Sequence, residues 1–239
     1  MTPIFLILLL LAISATLAIE PVLAQAPAGQ APSAEQPNSD PVLVYKPPVR
    51  GAPEGRVGGG SRSAATAAAT LLRIELLAPS NHSGLSTDRQ PTLYYFVSRP
   101  VQSRMQFTIS APLQPSPVLE VAVPAPQTGG LYALSLRSYG VQLQPGIMYT
   151  WSISVLLDPQ AWSSNIVASA PIVCDPTLTP NLPAGIDPAQ RAAYFAEMGF
   201  WYDAIMYAME AHRRGRNSAI AALLQQGGLS SINADAITY

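Results

Sequence analysis

"LQPGIMYTWSISVLL" (residues 143–157) changes character at Tyr149. From there Tyr149, Trp151, Ile153, Val155 and Leu157 alternate with Thr150, Ser152 and Ser154. A period of two places the large apolar set on one face of a strand and the hydroxyls on the other, which is the pattern of a half-buried β-strand. Pro145-Gly146 supplies a turn just before it. A tyrosine at the start of such a strand matches a tyrosine corner, in which the phenol bonds back to the backbone of the preceding turn. Tyr149, Pro145 and Gly146 are therefore read as structural, and Trp151 as core.

Strands of similar kind flank this one. "LLRIELLAP" (71–79), "PTLYYFVS" (91–98), "RMQFTIS" (104–110), "VLEVAV" (118–123), "LYALSL" (131–136) and "NIVASAPIV" (165–173) are short, β-branched or alternating, and bounded by Pro, Gly, Ser or Asn. Seven such runs predict an antiparallel immunoglobulin/fibronectin-like β-sandwich over residues 71–174. The fold class is mainly β with α, because the period changes after the Pro-rich "DPTLTPNLPAGI" (175–186).

From 187 to 239 the spacing is helical. Asp187, Pro188 and Gln190 form a capping-box start. Tyr194, Met198, Trp201, Ile205 and Ala208 follow at intervals of three and four, as on one face of a single helix or of two broken near Gly199. Tyr194, Met198, Trp201 and Ile205 are the expected helical core, packed on the sandwich. "GFWYDAIMYAMEA" (199–211) is thus read as a core rather than an aromatic-lined pocket. Phe195, Gly199, Trp201, Ala204 and Ala211 also resemble part of one tetratricopeptide unit, which needs neighbours to bury its face. A further helix over about 218–226 stops at Gly227-Gly228.

Residues 1–24 have the form of a signal peptide, with an apolar run from Ile4 to Ile19 and cleavage expected after Ala24. The rival reading is an uncleaved N-terminal anchor. Residues 25–62 are read as a Pro/Gly-rich tether, flexible to about Pro48, followed by "RGAPEGRVGGGSR" (50–62). Arg50, Arg56 and Arg62 stand among glycines there, so a linker and an anion-binding segment both remain open. The expectation is export to the periplasm or beyond, with no membrane span once the signal is removed.

Only 11% of the 239 residues are charged and the net charge is -1, which excludes a nucleic-acid footprint. Two histidines and one cysteine cannot make a closed zinc site, and neither metal nor cofactor is expected. Cys174 is read as a small buried thiol at a strand end, with an intermolecular disulfide as the alternative. Glu197, Asp203 and Asp158 are the carboxylates that a hydrolase would need paired. Glu197 and Asp203 are read as solvated helix residues, and His82, Asp88 and Asp158 as turn residues. His212 suits a helix end.

Taken in order, "RGAPEGRVGGGSR", "LLAP…PTLYYFV", "LQPGIMYTWSISVLLDP" and "AAYFAEMGFWYDAIMYAMEAHRRG" resemble a cyanobacterial family known as domain of unknown function 928. "GFWYDA" (199–204) is the most specific part. The resemblance implies an exported protein and no particular activity. It also implies a cysteine after the Gly-rich segment and another before the Asp-Pro of the Tyr-x-Trp strand. "SRSAAT" (61–66) and Leu157 hold those places here, so residues 56–70 are expected near the strand end at Leu157 without a staple.

No catalytic constellation emerges, and no HExxH, CxxC, GxSxG or SxxK motif occurs. The function expected is a non-catalytic envelope interaction module with a protein partner. The alternative is a carbohydrate or anion binder using Trp162, Tyr139 or the three arginines, and a hydrolase ranks last.

Overall fold

A computed structural model describes residues 41–48, 57–58, 72–158, 164–179 and 181–234. The signal-like segment, Arg50, Arg56, Arg62, residues 59–71 and Trp162 lie outside the described residues. In chain order the elements are β1 (Val57–Gly58), β2 (Ile74–Leu76), β3 (Gly84–Ser86), β4 (Thr92–Val97), β5 (Arg104–Ser110), β6 (Leu119–Val123), β7 (Gly130–Ser135), β8 (Met148–Leu156) and β9 (Ile166–Cys174). Three helices follow: α1 (Pro188–Glu197), α2 (Trp201–Arg213) and α3 (Ser218–Gln226). The molecule is therefore mainly β with α.

The strands form two sheets, ordered β1-β2-β4-β7 and β3-β9-β8-β5-β6. The alternation that opened the sequence reading sets the second. In β8, Tyr149, Trp151, Ile153 and Val155 are buried, while Thr150, Ser152 and Ser154 are half-exposed. The register aligns Ile109, Trp151 and Ala170 across β5, β8 and β9, and Phe107, Ile153 and Ala168 one step along. Each strand so presents its apolar positions on the same face. At the corner, the Tyr149 hydroxyl accepts a hydrogen bond from the Gln144 N–H at 3.2 Å, and Gly146 holds φ +76. That positive φ is open to glycine at no steric cost. The inward residues of both sheets and the helices join one hydrophobic core.

Two departures from the sequence reading concern the sheets. Pairing is not all antiparallel, since β3 runs parallel to β9 with Gly84 opposite Ile172 and Ser86 opposite Cys174. A three-residue strand inside a turn-rich stretch has too few positions to show a period. β1 was likewise not foreseen; it pairs with β2, Val57 opposite Glu75. The rest of the segment expected near Leu157 lies outside the described residues.

Two more departures concern the helices and the tether. Tyr194 and Met198 are not core: they are 41% and 43% exposed. The single stripe fails because the chain breaks at Gly199 (φ +83), which resets the helical phase. α1 instead buries Ala189, Ala192, Phe195 and Ala196, while α2 buries Trp201, Ile205 and Ala208 as expected. Residues 41–48, read as the end of a flexible tether, form an ordered extended segment held against the helices. Leu43 and Tyr45 are buried and Val42 and Val44 exposed, a period of two within "PVLVYKPP". Among the described residues no helix is long and apolar enough to cross a membrane.

Candidate functional site

α1 begins at a complete capping box. Asp187 accepts from the N–H groups of Ala189 and Gln190 at 2.8 and 3.2 Å, and Gln190 returns a bond to the Asp187 N–H. Arg216, beyond α2, reaches the same carboxylate at 3.0 Å and ties the two ends of the hairpin together. Within it Phe195 stacks on Tyr207 with centroids 5.3 Å apart and meets Phe200 edge-on. These contacts fix α1 against α2.

Residues 199–205, which make the turn and open α2, are buried throughout, and several have separate tasks. Gly199 takes a positive φ, and a Cβ there would stand 2.9 Å from the Lys46 carbonyl oxygen. Trp201 donates its indole N–H to the Leu77 carbonyl at 2.8 Å and packs edge-on against Tyr45. Its ring also lies so close to Gly227 that a Cβ there would overlap it. Tyr202 accepts from the Trp151 indole at 2.8 Å and donates to the Pro171 carbonyl at 3.1 Å. Gly84 makes room for it, since a Cβ there would come within 2.5 Å of the phenol ring. Buried indole and phenol groups of this kind need partners, and all are supplied.

Asp203 corrects the sequence reading. It is 4% exposed rather than solvated. The reason is β3, whose following residue Thr87 donates its N–H (3.0 Å) and hydroxyl (2.6 Å) to the carboxylate. Burial pushes this carboxyl up to about 6, against the pull of the Thr87 bonds. Glu197 faces solvent and binds Lys46 at 2.6 Å, which holds its carboxyl below the ordinary range. The two acids thus sit in separate settings, and Asp158 is exposed beyond the end of β8.

His82 lies in a bend as expected, yet it is buried. One ring nitrogen meets the Tyr45 hydroxyl at 2.5 Å and the other Asn81 Oδ1 at 2.7 Å. Burial lowers its pKa and raises that of Tyr45. Cys174 is buried, its thiol directed to the Asp88 carbonyl at 3.4 Å and pushed up to about 11 by burial, so thiolate chemistry is suppressed. His212 bonds Asn217 at 2.6 Å just past α2. Tyr139 leans on Phe107 rather than standing in an open loop. Among the described residues no group of His, Cys, Asp and Glu could hold a metal.

Among the described residues a groove of about 400 Å³ lies between the 41–48 segment and α1. Val42, Val44, Ala193 and Tyr194 give it apolar walls, and the Lys46–Glu197 pair lines it as well. A smaller cleft of about 230 Å³ lies on the other side of the segment, beside Tyr45, His82 and Gln226. Neither was foreseen. The available signal was the apolar run 42–45 in a Pro-rich stretch; with four apolar residues in a row it shows no period that would tell the buried face from the exposed one.

Comparison with curated proteins and with solved structures returned no match. The family model described as "Domain of Unknown Function (DUF928)" matches residues 57–237, which include both sheets and all three helices. The chain belongs to the DUF928 family.

Proposed function

We propose that this protein is an exported, non-catalytic interaction module of a cyanobacterial cell envelope, and that it docks a protein partner at the groove between the 41–48 segment and α1. One observation carries this reading. Val42 (89%), Val44 (51%) and Tyr194 (41%) are exposed large apolar residues that line this groove from the segment and from α1. Apolar side chains grouped at a groove that also carries an ion pair suit a docking face. The buried, paired state of Asp203, His82 and Cys174 supports binding over catalysis. In the same reading the two sheets are an immunoglobulin/fibronectin-like sandwich, supported by the Tyr149–Gln144 bond and the buried Trp151.

The test is recovery of the tagged full chain from native envelopes, comparing wild type with Val44→Asp and Tyr194→Asp. Val167→Asp, on the exposed side of β9, is the control. One stoichiometric partner kept by wild type and control and lost by both groove variants is the expected result. A partner retained by the groove variants, or none in any sample, contradicts it.

A further inference from the structure

The inward side of the 41–48 segment carries a second inference, drawn from the contacts that hold the segment rather than from the groove it walls. We infer that the helical hairpin and α3 form a recognition site for an extended peptide, filled here in cis by residues 43–48 and able to take the same segment from a second copy of the chain.

The geometry is that of ligand and receptor. The Gln226 amide reads the segment's backbone in both directions: Oε1 accepts from the Tyr45 N–H at 2.7 Å, and Nε2 donates to the Leu43 carbonyl at 3.0 Å. Residues two apart on an extended chain present their backbone groups to the same side, so one amide spans them as a neighbouring strand would. The Lys46 N–H adds a third bond, to the Ala196 carbonyl at 3.0 Å. Main-chain bonds of this kind give affinity, and pockets for alternate side chains give selectivity.

The pockets are specific. Leu43 is buried, and Tyr45 lies between Trp201 and His82, its hydroxyl on the His82 ring. Lys46 reaches Glu197, and Pro48 rests over Gly199, where only a missing Cβ allows the approach. The pattern selected is aliphatic-x-Tyr-Lys-x-Pro.

Receptor and ligand are also distinct parts of the chain. His82, Ala196, Glu197, Gly199, Trp201 and Gln226 all fall within the family match at 57–237, whereas residues 41–48 precede it. The family domain supplies the site, and the occupant comes from outside it. The fit is guaranteed for a second copy, whose segment has the same sequence.

The probe is a fluorescent peptide of residues 39–50, added to the full chain carrying Leu43→Ala and Tyr45→Ala, which empties the site. Saturable binding to this variant is expected, at least about tenfold tighter than to wild type, where the cis segment competes. The same peptide with Tyr45→Ala is expected not to bind. No binding, or equal binding of both peptides, by a variant with native near-UV dichroism overturns the inference. Should the variant fail to fold, hydrogen exchange on wild type decides. The Tyr45 and Lys46 amides are expected to exchange by local opening, well ahead of β8, and protection equal to that of β8 overturns the inference.

Discussion

Trp151 and Trp201 are both fully buried, and both satisfy the indole N–H, yet they are held in opposite ways. Trp151 sits in mid-strand, and its position follows from the local alternation of β8 and from register with Ile109 and Ala170. Trp201 opens a helix immediately after a backbone break. Its surroundings come from far along the chain: Tyr45, Leu77 and Gly227. One tryptophan takes its inward face from the alternation of its own strand, although its indole bonds Tyr202 of α2. The other has no such local pattern and is placed by elements that arrive separately. The sheet region is thus locally specified, and the helical junction depends on assembly.

Truncating the two residues separates these modes. Each Trp→Ala change removes a large buried ring and costs about 3–5 kcal/mol. With Trp201→Ala the loss is expected to concentrate in α3 and the 41–48 segment, and with Trp151→Ala to spread through both sheets and α2. Residue-resolved hydrogen exchange reads the difference, and identical exchange maps would erase the distinction.

Gly199→Ala sharpens it further. The new Cβ meets the Lys46 carbonyl in a left-handed conformation, at a cost of about 2–3 kcal/mol. The denaturation midpoint is expected to fall, with early exposure of Tyr45 and Lys46. A change confined to α1 would mean that the break serves the hairpin alone.

Asp203 tests the junction through pH. Its native carboxyl is at about 6 and its unfolded one near 3.9, so the native state holds the proton more tightly between those values. This group's contribution is greatest below the unfolded value and is lost as pH rises through about 6, a change of about 3 kcal/mol in all, of which about 2 kcal/mol falls between pH 4.5 and 7. His82 acts oppositely: with its native pKa lowered, stability falls as pH drops below about 6.5. The difference between wild type and Asp203→Asn cancels the histidine. Its melting-temperature gap is expected to shift in favour of wild type between pH 7 and pH 4.5, and a flat difference would place the carboxylate in solvent.

The smallest effect belongs to the locally specified region. Tyr149→Phe removes the acceptor of the Gln144 N–H at the corner before β8 and is expected to cost about 1 kcal/mol by chemical denaturation. A loss as large as that of Gly199→Ala would mean that the corner, too, depends on distant parts.

The same contrast explains what could be read in advance. β5 and β8 were visible because strict alternation over seven and nine residues leaves one buried face. The capping box at Asp187 was visible because all its parts lie within four residues. Tyr194 and Met198 were misassigned because their spacing to Trp201 is helical only if the helix continues, and Gly199 ends it for a reason that lies at Lys46. Asp203 looked solvated because its donor, Thr87, directly follows a strand too short to announce itself. "GFWYDA" could be recognised as a block long before its parts could be explained. Trp201 and Tyr202 point to different partners, and Gly199 and Asp203 answer to two more. The groove depended on seeing Val42 and Val44 as one side of an ordered segment, which required the helices that order it.

Tyr202→Phe is the most direct test of whether this block is a joint between helices and sheets. The change keeps the ring and removes one oxygen, leaving the Trp151 N–H and the Pro171 carbonyl without their shared partner. Hydrogen exchange on wild type and variant would be compared across α2 and β8. A joint predicts that both lose protection together, with a drop of about 2 kcal/mol. Faster exchange in α2 while β8 stays at its wild-type level would contradict it.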